Sequence, residues 1–100
     1  MLNRIKEIVA IEPFRITVRW NNNELRTVDF NVMLGGYKVK PESIFYQLFH
    51  FQNFIKVKTD GKTLFWEGMA TIIDYDGSEN KTSLDFCPDV LFENSQLVTQ

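Results

Sequence analysis

The chain has few of the residue types from which small chemical sites are built. Its 100 residues include one cysteine, Cys87, and one histidine, His50. A single cysteine closes no internal disulfide, which points to a reducing compartment. A single histidine excludes a histidine-rich zinc centre, and a Ser-His-Asp triad would have to rest on His50 alone. There is no basic excess either. A formal net charge of −2 argues against a generic nucleic-acid binder, which needs a basic face to neutralise phosphates. No run approaches the roughly 18 apolar residues that span a bilayer, and MLNRIKEIVAIEP lacks the apolar centre of a secretory leader. The expectation is a cytoplasmic protein with no membrane association, no cofactor and no metal.

What the chain does have is apolar bulk. Hydrophobic residues make up 44% of it, with nine phenylalanines and two tryptophans, far from the composition of disorder. One domain over residues 1–100 would bury about 60–70% of its unfolded surface, enough to fold without staples.

The stretch Pro41–Val57, PESIFYQLFHFQNFIKV, holds five of the fourteen aromatic residues. Pro41 suits a first helical turn, where its missing N–H is not needed. Ile44, Phe45, Leu48 and Phe49 then form one apolar stripe, which predicts an amphipathic helix over Glu42–Phe51. Core packing explains such a stripe better than an aromatic ligand cage. After His50 the period changes, and Ile55 and Val57 alternate with Lys56 and Lys58 as in a half-buried strand.

Around this helix the sequence predicts hairpins. Ile5–Ile11 is rich in β-branched residues and stops at Pro13. Phe14, Ile16, Val18 and Trp20 alternate cleanly with Arg15, Thr17 and Arg19, a strand with one buried face. A three-residue loop, Asn21–Asn23, pairs Ile16 with Val28, Phe14 with Phe30, Thr17 with Thr27 and Arg15 with Asp29. A two-residue turn would bury Asp29 opposite Ile16. Asn23 then takes the left-handed conformation, and Val18 falls opposite Arg26. Asn31–Lys40, with Gly35-Gly36, reads as a connection. Asp60-Gly61 reads as a two-residue turn setting Val57 against Leu64 and Ile55 against Trp66. Ala70–Tyr75 and Lys81–Phe86 form a further pair around Asp76–Asn80, with Tyr75 against Lys81, Ile72 against Leu84 and Ala70 against Phe86.

DYDGSENKTSLD resembles a calcium loop only superficially. Its glycine is fourth where the sixth position is required, and strands flank it. The closing segment starts a short helix at Pro88, with Cys87 at its cap as a half-buried inert thiol and Asp89 in the first turn. Ser95–Gln100 is expected to fray. The fold class is therefore α+β: a mainly antiparallel twisted sheet of hairpins, one helix packed on one face and a short C-terminal helix.

In order, Val28-Asp29-Phe30, Phe45-x-x-Leu48, Phe54-Ile55-x-Val57, Leu64-Phe65-Trp66 and the closing Asp85-x-x-Pro88-Asp89-Val90-Leu91-Phe92-Glu93 resemble the small bacterial domain of unknown function 2442, over about residues 4–94. The chain departs from that pattern at Asn21–Asn23, where the family favours Asp-Gly, and in the inserted Ala70–Lys81 hairpin. The family has no established activity. Its members are often encoded beside another small protein, in a pattern similar to toxin–antitoxin pairs. The resemblance implies a protein-interaction module, antitoxin-like, with Trp66, Asp85, Pro88 and Asp89 as structural motif residues.

From the residues themselves, Arg15, Arg19 and Arg26 are candidates for a basic interaction face on a hairpin, suited to an acidic partner or a phosphate. An ordinary solvated sheet face is the plainer reading. The expected partner is a small protein or a second copy, recruited at an open strand edge. Two alternatives stand beside it: a small enzyme using Cys87 or His50, and nucleic-acid binding through the arginine face.

Overall fold

The computed structural model describes residues 2–98, without the side chain of Tyr37. Among these residues seven strands form two antiparallel sheets, with three short α-helices. The α+β class of hairpins holds. The first sheet has the order β1-β2-β3-β7, from β1 (Ile5–Glu12), β2 (Arg15–Trp20), β3 (Leu25–Asp29) and β7 (Ser95–Leu97). The second has the order β4-β5-β6, from β4 (Lys58–Thr59), β5 (Leu64–Ile73) and β6 (Glu79–Asp85). The Ile5 amide donates to the Lys62 carbonyl at 3.0 Å and ties the edge of one sheet to the turn of the other.

The β2–β3 hairpin follows the alternation of its sequence. Arg15 pairs with Asp29, Ile16 with Val28, Thr17 with Thr27 and Val18 with Arg26 across the loop Asn21–Asn23, where Asn23 is left-handed at φ 70°. Ile16, Val18, Trp20 and Val28 are fully buried because this register puts them all on one face.

Elsewhere the local chemistry differs from expectation. The continuous helix over Glu42–Phe51 is replaced by turns, a 3₁₀ turn at Tyr46–Phe49 and α2 (Phe51–Phe54). The Ser43 hydroxyl accepts from the Phe45 amide at 3.2 Å, offering the backbone an alternative to helix, and His50 is extended at φ −108°, ψ 116°. The break lets each aromatic find its own partner. Phe45 stacks on Phe86 at 5.7 Å, Phe49 lies 5.2 Å from Phe14, and Phe54 reaches the core. Ile44, assigned to the stripe, is 54% exposed.

The Asp60-Gly61 turn spans four residues, since Thr59 pairs with Leu64. Asp60 Oδ1 accepts from the Lys62 and Thr63 amides at 2.9 and 3.1 Å, and these two bonds hold the wider turn. A two-residue change of register keeps side chains on the same face, so Val57, Leu64 and Trp66 are still buried while Ile55 leaves the strand. β5 is one strand rather than two. It pairs Trp66 with Leu84, then Ala70 with Thr82, Thr71 with Lys81, Ile72 with Asn80 and Ile73 with Glu79. Between these blocks Glu67, Gly68 and Met69 oppose Ser83 alone, a bulge that requires Gly68 in the left-handed region at φ 68°. The bulge moves the expected register and confines the turn to Tyr75–Gly77.

Asn31–Lys40 is not a plain connection. Asp29 Oδ1 caps α1 (Phe30–Leu34) through the Val32 amide at 3.2 Å, and Gly35 ends that helix in the left-handed conformation. At the other end α3 (Pro88–Glu93) begins at Pro88 as expected. Ser95–Leu97, expected to fray, instead pairs with Arg26–Val28, and residues 99–100 of that expectation lie outside the described residues.

The core lies between the sheets. Phe30 meets Phe54, Trp66 and Phe86 edge-on at 5.4, 5.7 and 5.6 Å, and the Trp66 Nε1–H donates to the Phe54 carbonyl at 3.0 Å. Phe30→Ala should cost about 3–5 kcal/mol in equilibrium urea unfolding, whereas Val32→Ala, at a position 79% exposed, should cost under about 0.5 kcal/mol. Similar costs for the two would refute this placement of the core.

Candidate interaction surface

The two proposed arginine partners on β2 share a face. Arg15, Thr17 and Arg19 alternate with buried residues and point away from the core. Arg26 does not join them. It stands directly opposite Val18, and directly opposed residues share a face, so its side chain lies on the inward side. There its guanidinium covers the Phe92 ring at 4.3 Å and its Nε donates to Glu24 at 3.1 Å. The Asn22 amide and then Arg26 hold the Glu24 carboxyl below its ordinary range.

The outer arginines are not free cations. Arg19 Nε donates to Glu7 at 3.0 Å, and Arg15 approaches Asp29 at 3.7 Å. Thr17 and Thr27 hydroxyls share a hydrogen bond of 2.8 Å between them. Cross-strand pairing with β1 places Glu12 opposite Arg15, adding a further carboxylate to this face. Arg15, Arg19 and Lys6, whose ammonium reaches Asn23 beside Arg19, stand against Glu7, Glu12 and Asp29, so the face carries no basic excess. Beside it, a cavity of about 430 Å³ lies between Arg15, Asp29, Val32, Leu97 and Val98.

The four motif residues have different surroundings. Trp66 is in the core, Pro88 opens α3, and Asp89 Oδ1 accepts from the Asn3 amide at 3.0 Å, fastening the start of the chain to this helix. Asp85 ends β6 opposite Phe65 and is exposed. Cys87 occupies the cap position of α3 without a side-chain capping bond, and it is exposed rather than half-buried. A cleft of about 370 Å³ next to it is lined by Arg4, Asp60, Lys62 and Asp85 among others, and His50 is not part of that lining. His50 instead sits edge-on to Tyr46 at 5.3 Å. Neither of these two cavities is lined by both Cys87 and His50. Among the described residues no three of His, Cys, Asp and Glu gather in metal-binding geometry.

A different feature stands out from the body. Beyond the Gly68 bulge, β5 and β6 continue as a two-stranded arm, Ala70–Thr82, in which residues 71–81 are all exposed. Ile72 and Ile73 are 52% and 68% exposed, and Tyr75 at the tip is fully exposed. The Asp74 amide donates to the Ser78 carbonyl at 2.9 Å, and the Asp74 carboxylate accepts from the Asn80 amide, so polar groups of the calcium-like stretch satisfy one another within the turn. The Ser78 hydroxyl and then its backbone N–H hold the Asp76 carboxyl below its usual range. Sequence reasoning placed the hairpin but missed its projection. The readable signal was a run of apolar residues, Ile72-Ile73 and Tyr75, with no facing apolar strand to cover it.

Arg26→Ala should destabilise the fold by about 1–2 kcal/mol through loss of its stem packing and its position over Phe92, while Arg15→Ala should cost at most about 0.5 kcal/mol. Thermal and urea unfolding of both variants check this, and equal effects would contradict the division of the arginines between two faces. No family model, no curated protein and no solved structure matches the chain.

Proposed function

We propose that this chain is a non-catalytic protein-interaction module whose contact element is the Ala70–Thr82 arm. The observation that carries the reading is the exposure of Ile72, Ile73 and Tyr75 on a ribbon with no layer packed over either face. An isolated two-stranded ribbon is marginal in water, and here both of its faces carry exposed isoleucine, Ile72 on one and Ile73 on the other, that a second molecule would cover. A protein surface suits this arm better than a nucleic acid, because Asp74, Asp76 and Glu79 outnumber Lys81 along it. The resemblance to the domain of unknown function 2442 supports a protein partner, either another small protein, as in antitoxin–toxin pairing, or a second copy of the chain.

A photoreactive phenylalanine analogue placed at position 75 should cross-link to protein in the source cells, whereas the same group at Glu12 on the opposite sheet should not. Absence of any protein adduct from positions 73 and 75, with adducts from position 12, would reject the arm as the contact element.

A further inference from the structure

We infer that the partner of the arm is a second copy of this chain, with the two arms lying face to face and antiparallel. This rests on the reading of the arm as a contact element and names its occupant. The argument starts from register. Thr71 opposes Lys81 and Ile73 opposes Glu79, so these four residues share one face of the ribbon, with Thr71 and Lys81 at the level nearer the body and Ile73 and Glu79 nearer the tip.

A two-fold axis across the arm exchanges those levels. Glu79 of one copy then meets Lys81 of the other, and the reciprocal pair forms at the same time. Ile73 lies over Thr71 of the second copy, and Tyr75 at the tip reaches Met69 at the root of the second arm, where Met69 packs on the core. The parallel alternative would press Ile73 onto Glu79 and desolvate a carboxylate with no cation opposite. One acid and one base at a two-residue interval on one face are thus self-complementary only in the antiparallel arrangement, which is the isologous contact a two-fold dimer requires. A rim charge pair of this kind fixes orientation and register more than it adds affinity.

Size sets the strength. Only alternate residues of the arm face the second copy, about six of them against the 20–30 a side in a standard interface, so the dimer belongs among the small, weak and reversible ones.

Sedimentation velocity across low to high micromolar concentration should show a reversible shift from monomer to dimer. Ile73→Asp, at an exposed position where the fold tolerates charge, should raise the dimer dissociation constant at least about tenfold. Glu79→Lys and Lys81→Glu should each weaken self-association, and an equimolar mixture of the two should form a heterodimer as tight as the wild-type dimer, read by energy transfer between separately labelled chains. Circular dichroism spectra matching the wild type would show that each variant is folded. A wild-type chain that stays monomeric to its solubility limit overturns the proposal, as does a mixture that fails to recover association. In either case a cross-link from position 75 to a different protein would leave the arm as a contact element with another occupant, and no cross-link would remove both readings.

Discussion

The hydrogen bond from the Trp66 indole to the Phe54 carbonyl fixes α2 on β5, the seam around which the aromatic core is built. Both groups are buried, and leaving either unpaired would cost about 1–3 kcal/mol. The bond holds the end of α2 against β5, and Phe30, the first residue of α1 just past β3, closes the same cluster by meeting Phe54, Trp66 and Phe86 edge-on. Phe30 can do this because Asp29 caps the helix that begins with it and turns the chain off the end of β3. A positive φ at Phe14, 66°, belongs to the same arrangement. The left-handed backbone costs a residue with a side chain roughly 1–2 kcal/mol, and here the ring is placed against both Phe49 and Phe54.

This cluster also determines where the core stops. Trp66 and Leu84 are the last buried pair along the second sheet, and Gly68 then bends β5 at the bulge. Past that point neither the first sheet nor a helix lies over the ribbon. The dimensions agree: the chain extends 51 × 28 × 21 Å with a radius of gyration of 14.2 Å, against about 13 Å for a compact domain of this length. An arm that leaves Ile72, Ile73 and Tyr75 outside the core is the direct consequence of a core that ends at Trp66.

Alternation proved the most readable part of the sequence. Between Arg15 and Asp29 each strand has one wet face, and a one-residue slip would take Val28 off the face that Ile16 and Val18 share, so the Asn21–Asn23 loop and the alternation together give the register observed. The misreadings fall where side chains compete with backbone pattern. Ser43 and Asp60 bond to nearby amides and reshape the helix start and the turn, neither of which periodicity records. The stripe Ile44, Phe45, Leu48, Phe49 has helical spacing, yet Phe45 and Phe49 are drawn to Phe86 and Phe14, partners distant in sequence. The bulge at Gly68 adds two residues to one strand, and a single glycine between Glu67 and Met69 does not announce it. The antiparallel α+β class survived these errors because each shift of register at Asp60 and beyond moved residues by an even number and left their facing unchanged.

The candidate surface was legible only in part, and the reason lies in how charge differs from apolar area. Arg15, Arg19 and Arg26 look alike in sequence, but one register places Arg26 over Phe92 and another cross-strand neighbour neutralises Arg19. An arginine's role is set by what stands opposite it. Exposed isoleucine is different, since water gives it no partner. Arg15 and Arg19 already have carboxylates beside them and gain little from a further one in solvent. Ile72, Ile73 and Tyr75 have their apolar area still to bury, worth roughly 25 cal/mol for each Å² removed from water. The apolar area still open to burial therefore sits on the arm, and the arm's charges are what the proposed dimer uses to set its orientation.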